Sequence, residues 1–198
     1  MNPSTRRVLM SVVVGAALPM LGCSAADKAP ADTAAKVEAT PVAAGAPAAD
    51  GSVAALKTQW SGVIDNITKA AEEVSEADYA YKPVPTVRSF GELVGHVAGS
   101  QHLICAAALG EPQPAEDAVE KAAKSKADLV KALKESTEHC AKAYAISATD
   151  GAMETELFGA KNTRFGAIAL NAVHDGEHYG NIVTYMRMKG LVPPSSKK

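Results

Sequence analysis

Residues 174–196 read HDGEHYGNIVTYMRMKGLVPPSS and close a longer run that begins at Arg164, RFGAIALNAVHDGEHYGNIVTYMRMK. The run contains no proline, and its apolar residues recur at helical intervals. Thr163 precedes it as a helix cap, Gly190 stops it, and Pro193 and Pro194 prevent its continuation. Residues 164–189 are therefore predicted to form one long helix with a wide buried face. Ile168, Ala172, Tyr179, Ile182 and Met186 make one stripe. Leu170, His174, His178, Asn181, Tyr185 and Met188 make the stripe beside it.

His174 and His178 are four apart, about 40° around that helix, so their ring nitrogens can converge over one turn. Such a pair can bind one ion, although taken alone an HxxxH spacing is more often two ordinary core or surface histidines. The stretch HDGEH also fits H-x-x-E-H, in which a glutamate serves as general base for peptide hydrolysis. That chemistry needs a further acidic ligand downstream, and no Asp or Glu follows His178. Glu177 reads instead as a polar neighbour, with Asn181 and Tyr185 as companions one to two turns on.

A third ligand has to come from another helix. Residues 53–74 have Val53, Leu56, Trp60, Val63, Ile64, Ile67 and Ala71 at helical spacing, with Asp50 or Ser52 available as a cap. Pro83 and Pro85 make 79–88 an extended connection. Ser89 and Glu92 form a capping box that opens a second helix, and Gly110 ends it. A third helix is expected over 115–146, with Val119, Ala123, Val130, Leu133, Thr137, Cys140, Ala141 and Tyr144 as its apolar stripe. Residues 148–162 read as a linker, and no alternating stretch there argues for a sheet. The expected fold is all-α, an antiparallel four-helix bundle with long connections. His139 falls on the polar side of the third helix and is excluded as a ligand. His96 and His102 share the second helix but point about 120° apart, and periodicity does not choose between them.

The chain has 198 residues, 47% of them hydrophobic, and a formal charge of -2. That is enough for one domain with its own core, and it carries no basic stripe of the kind a nucleic-acid binder needs. The N-terminus looks like an export signal. Arg6 and Arg7 precede an apolar run from Val8 to Leu18, too short for a comfortable membrane span. Leu21-Gly22-Cys23 resembles a lipobox, with Met20 where a leucine is usual, and it predicts a signal peptide over 1–22 and lipidation at Cys23. Ordinary cleavage after Ala26 is the alternative. Residues 23–50 hold almost only small and polar residues and are expected to be a flexible tether before a domain over 51–198. The protein is thus expected in the cell envelope, anchored to a membrane and facing the periplasm or cell exterior.

Cys105 and Cys140 remain. The compartment favours pairing. With adjacent helices packed antiparallel, however, about 1.5 Å of rise per residue leaves the two sulfurs more than about 20 Å apart, against the roughly 7 Å between Cα atoms that a disulfide tolerates. Register therefore predicts two free, buried thiols.

Two stretches, VRSFGELVGHVAGSQHLICAAALG and HDGEHYGNIVTYMRMKGLVPPSS, resemble the DinB-like (YfiT-like) metal-binding helical family, and the similarity spans about residues 51–196. The resemblance implies a four-helix bundle with one His from the second helix and two His, four apart, from the last helix around a divalent metal. Carried onto this chain these are His96, His174 and His178, with Zn²⁺ or Ni²⁺ as the expected ion. Three His leave an open coordination position. Some members of the family resemble thiol S-transferases or mycothiol-dependent isomerases, so the resemblance implies a metal-dependent hydrolase or thiol S-transferase. The alternative is a non-catalytic metal-binding or scaffold lipoprotein. The expected partners are the membrane, a small thiol or other small molecule, and a second copy of the chain.

Overall fold

The computed structural model describes residues 51–123 and 125–198; the signal sequence, Cys23, the tether and the Asp50 cap lie outside the described residues. Four long helices carry the core: α1 Gly51–Glu73, α2 Phe90–Leu109, α4 Lys126–Ala143 and α6 Arg164–Met188. Between them lie a 3₁₀ turn (Glu76–Ala80), a one-turn helix α3 (Ala118–Ala122), a short helix α5 (Ala148–Gly151) and a hairpin of β1 (Glu154–Leu157) and β2 (Ala160–Thr163). No helix among the described residues is long and apolar enough to cross a membrane.

The local signals at helix ends act as their chemistry demands. Ser89 and Glu92 cap α2 reciprocally, Thr163 accepts from Gly166 N at the start of α6, and Gly110 and Gly190 sit at φ 74° where the helices end. Each cap satisfies backbone groups that would otherwise be orphaned.

The packing order differs from the expected antiparallel arrangement. Gly91 lies beside Leu129, Gln101 beside Ser136 and Cys105 beside Cys140. Positions on α2 and α4 therefore advance together, and the two helices run parallel. Between α2 and α6 the order reverses: Arg88 meets Tyr185, His96 meets His178 and His174, and Gln101 meets Asp175. Between α1 and α4 it also reverses, Trp60 meeting Tyr144 and Glu72 meeting Lys134.

A break in the expected third helix makes the parallel pair. Ser125 caps α4 with Asp128 in a second capping box, so α4 starts about ten residues later than periodicity predicts. Residues 111–123 travel back along α2, passing Gly99 at Glu116 and Gly95 at Glu120. A Cβ on Gly99 would lie 2.0 Å from the Glu116 carbonyl oxygen, so only glycine admits the crossover there. Because α2 is covered on all sides, 17 of its 20 residues are buried, including the polar Ser100 and Gln101.

This reversal also corrects the cysteine expectation. Cys105 and Cys140 form a disulfide, their Cα atoms 5.2 Å apart. The free-thiol reading assumed a straight antiparallel helix from 115. The crossover instead brings the far end of α4 level with the far end of α2.

The linker over 148–162 is likewise more structured than expected. Glu154–Leu157 pairs with Ala160–Thr163 across a two-residue turn at Phe158 and Gly159, both at positive φ. Turns of that hand match the twist of a two-stranded ribbon. Leu157 is the hairpin's anchor, 3% exposed, and Thr155 donates to the carbonyl of Ala107 near the end of α2.

Candidate metal centre

The sequence leaves His96 and His102 open by angle alone, and the structure separates them. His96 sits on the face of α2 that meets α6, where His174 and His178 project one turn apart. The three Nε2 atoms converge: His174 to His96 is 3.3 Å, and His178 to His174 is 3.1 Å. One ligand atom from each of the three lies within 4.8 Å of the others. His102 turns away from the triad and lies tilted against His139, ring centroids 5.5 Å apart, while His139 pairs with Glu111 at 2.7 Å.

This donor set fits a metal ion. Zinc bonds to imidazole nitrogen at about 2.0–2.1 Å, which for tetrahedral coordination places neighbouring nitrogens about 3.3 Å apart. His96 is 7% exposed, and burial, followed by Arg88 and the other two rings, pushes its pKa down to about 3. Burial, followed by His174, pushes His178 down to about 4. These two rings are therefore neutral near pH 7, the form that can ligate. Neutral rings crowded nitrogen to nitrogen repel through their lone pairs. One bridging proton can relieve a single pair, whereas a cation at the centre relieves all three.

The outer nitrogens of His178 and His174 have an acceptor nearby, whereas His96 Nδ1 is buried without a partner. An Nε2 ligand carries its proton on Nδ1. His178 Nδ1 is 3.3 Å from the Asn181 amide, which can turn its oxygen to accept that proton. His174 Nδ1 lies 3.6 Å from Asp175 Oδ1, and both atoms are buried without a hydrogen-bond partner. A small rotation closes that gap into the carboxylate–histidine contact that orients metal ligands.

Asp175 is the residue that sequence reasoning missed. It is fully buried, and its Oδ2 accepts from Trp60 Nε1 at 3.0 Å, Gln101 Nε2 at 2.8 Å and Asn171 Nδ2 at 3.2 Å. Three helices thus converge on one carboxylate directly beside a triad histidine. Gln101 Oε1 in turn accepts from Ser136 on α4, and Asn171 Nδ2 also lies 3.2 Å from the hydroxyl of Tyr144, whose own proton goes to the Ile168 carbonyl. The available signal was Asn171-x-x-x-Asp175 in phase with Ile168, Ile182 and Met186, a polar pair inside an apolar stripe.

The other site candidates divide. Asn181 and Tyr185 line a cleft of about 580 Å³ that opens beside His178, together with Lys82, Arg88, Glu92 and Glu120. Tyr185 is 8% exposed and donates to the Arg88 carbonyl. Glu177 is exposed, lies outside the cleft lining, and reaches the site only through its charge near His178.

A mostly helical domain with a convergent His triad at the α2–α6 seam defines the class: a helical protein whose donor set can hold a divalent ion. Comparison with known proteins names the family. The DinB superfamily profile matches residues 59–182, and the chain belongs to that superfamily. The uncharacterized protein YjoA of Bacillus subtilis (strain 168) is 30% identical over 128 residues, covering 63% of this chain and 83% of YjoA. The crystal structure of that DinB-like protein superposes with a TM-score of 0.56 at 25% identity, over 69% of this chain and 92% of the other. A DinB-like protein from Bacillus cereus ATCC 10987 superposes with a TM-score of 0.61 over 70% of this chain and 93% of its own, and at 13% identity it speaks for the fold alone.

Proposed function

We propose that this protein is an exported, membrane-tethered member of the superfamily that binds Zn²⁺ or Ni²⁺ through His96, His174 and His178 and acts on a small molecule in the adjoining cleft. The observation that carries this reading is the convergence of the three rings, with His174 Nε2 lying 3.3 Å from His96 Nε2 and 3.1 Å from His178 Nε2. A divalent ion held there supplies a Lewis-acidic position left open by three protein ligands. Asp175 and Asn181 hold the rings in register, while Arg88, Lys82 and Tyr185 shape the approach.

Catalysis is favoured over a scaffold role because Asn181 and Tyr185 face a solvent-open cleft. The reaction classes in view are metal-dependent hydrolysis and thiol S-transfer. The buried Cys105–Cys140 disulfide supports an oxidising compartment, and with it export; the lipid anchor at Cys23 rests on the Leu21-Gly22-Cys23 motif alone.

The test is metal analysis of the purified full-length protein, then a panel of ester, amide and thiol-plus-electrophile substrates. Substituting His96, His174 or His178 singly with Ala is expected to abolish most bound metal, and His102→Ala and His139→Ala to leave it intact. Wild-type protein that takes up no divalent ion refutes the reading. Metal uptake without turnover across the panel leaves the scaffold role. Cys23→Ser is expected to release the protein from the membrane fraction.

A further inference from the structure

The crossover that returns the chain along α2 also delivers a carboxylate to the His triad. Glu116 Oε1 lies 4.0 Å from His96 Nε2, and among the described residues it is the one carboxylate oxygen brought that close to a triad Nε2 atom. Its position is built rather than incidental. The same oxygen accepts from Ser100 Oγ at 2.9 Å, and Ser100 is fully buried one turn after His96. Gly99 lets the Glu116 backbone press against α2, where any Cβ would collide with its carbonyl. Gly95 does the same for Glu120, whose Cα is 3.1 Å from where a Cβ would stand. Yet Glu116 does not join the set of mutually close ligand atoms, and its side chain remains 39% exposed. It stands beside the centre, within reach of solvent.

We propose that Glu116 is the hydrogen-bond acceptor for whatever ligand fills the open side of the triad, so that the centre favours ligands with a proton to donate and disfavours bare anions. This rests on the reading of the triad as a metal centre. His96 Nε2 and Glu116 Oε1 are 4.0 Å apart, a separation that one atom seated between them can bridge with ordinary hydrogen-bond distances to each. A protic ligand gains a charge-assisted hydrogen bond there, whereas an anion without a proton meets a like charge.

The experiment uses the full-length protein loaded with Co²⁺, whose visible absorption reports both metal uptake and ligand exchange, titrated with azide at neutral pH. Glu116→Gln is expected to tighten azide binding by about fivefold or more while Co²⁺ affinity changes little, since a like charge is removed without loss of a ligand. Glu135→Gln, an equal charge change on the far side of α4, is expected to leave azide binding as it is. Azide affinity in Glu116→Gln that matches wild type overturns the proposal. So does loss of Co²⁺ binding in that variant, which would make Glu116 a ligand. Wild-type protein that binds no Co²⁺ fails at the triad itself, a result separate from either.

Discussion

Replacing Asp175 with Asn tests how the buried network and the His triad depend on each other. The exchange keeps shape and volume but offers one acceptor and one donor in place of two acceptors. The three donors from Trp60, Gln101 and Asn171, at 2.8–3.2 Å, all point at one oxygen, so the amide oxygen must face them. The new NH₂ then faces His174 Nδ1, which lies 3.6 Å from the other oxygen today. His174 must turn its Nδ1 into an acceptor, and its proton moves to Nε2, the atom that points at the other two rings. Metal affinity is expected to fall about 10- to 100-fold, the usual range for losing such a support. Stability falls separately. Charge-assisted hydrogen bonds are roughly twice as strong as neutral ones, so three weakened bonds cost about 2 kcal/mol in all. For a domain of this size that is a drop of about 4–8 °C in melting temperature. Competition with a chelating dye reads the affinity, and thermal unfolding of the metal-free protein reads the stability. Asp175→Ala, which orphans all three donors, is expected to cost more stability than Asn. Wild-type metal affinity in Asp175→Asn would refute the tautomer argument, whatever happens to the melting temperature.

Replacing both Cys105 and Cys140 with Ala opens a loop of 35 residues' separation and is expected to cost about 4 kcal/mol, mostly by freeing the unfolded chain; a change in urea midpoint too small to reach about 1 kcal/mol would show that the bond constrains little. Gly99→Ala forces the crossover off α2 and is expected to destabilise by about 2–3 kcal/mol, with chemical denaturation as the check and wild-type stability as the refutation. The metal-free protein is expected to lose stability as pH falls. His96 and His178 have folded pKa values near 3 and 4 against an ordinary 6.5. The unfolded chain therefore takes up protons first, and the contribution is complete above the ordinary value and fades as pH drops toward the folded ones. Urea midpoints of wild type and a His96→Gln, His178→Gln variant at about pH 7.5 and about pH 5 measure this, and an equal decline in both proteins would refute it.

The helix ends and the pairing of His174 with His178 were legible because they rest on local rules. Ser89 with Glu92, Thr163, Gly110 and Gly190 each act within one turn, and His174 and His178 share a helix whose spacing is fixed. His96 was not legible from angles, because two histidines on a helix buried on all sides offer no polar face to tell them apart. The hairpin at 154–163 escaped notice because only Leu157 among its strand residues is buried, so its alternation carries almost no apolar signal. The crossover escaped for a different reason. Val119 and Ala123 continue the periodicity of Val130 and Leu133, so the stripe runs straight through the point where Ser125 and Asp128 restart the helix. A pattern of apolar residues reports which face is buried, not which way the chain turns next.

That turn ties the disulfide to the site. An antiparallel α4 would have put Cys140 level with the start of α2, and Gln101 would have had no Ser136 to hold its oxygen. Running parallel, α4 fixes Gln101 through Ser136, Gln101 fixes Asp175, and Asp175 lies against His174. The disulfide sits one turn beyond Gln101 on α2 and one turn beyond Ser136 on α4, so it clamps the two helices just past the first link of that chain. α2 then behaves as a fixed post: His96 on one face, the network that orients His174 on another, and the glycines that admit Glu116 on a third. Imidazoles aimed at one ion lose affinity when their supports move, so a helix buried on every side is the appropriate element to carry them.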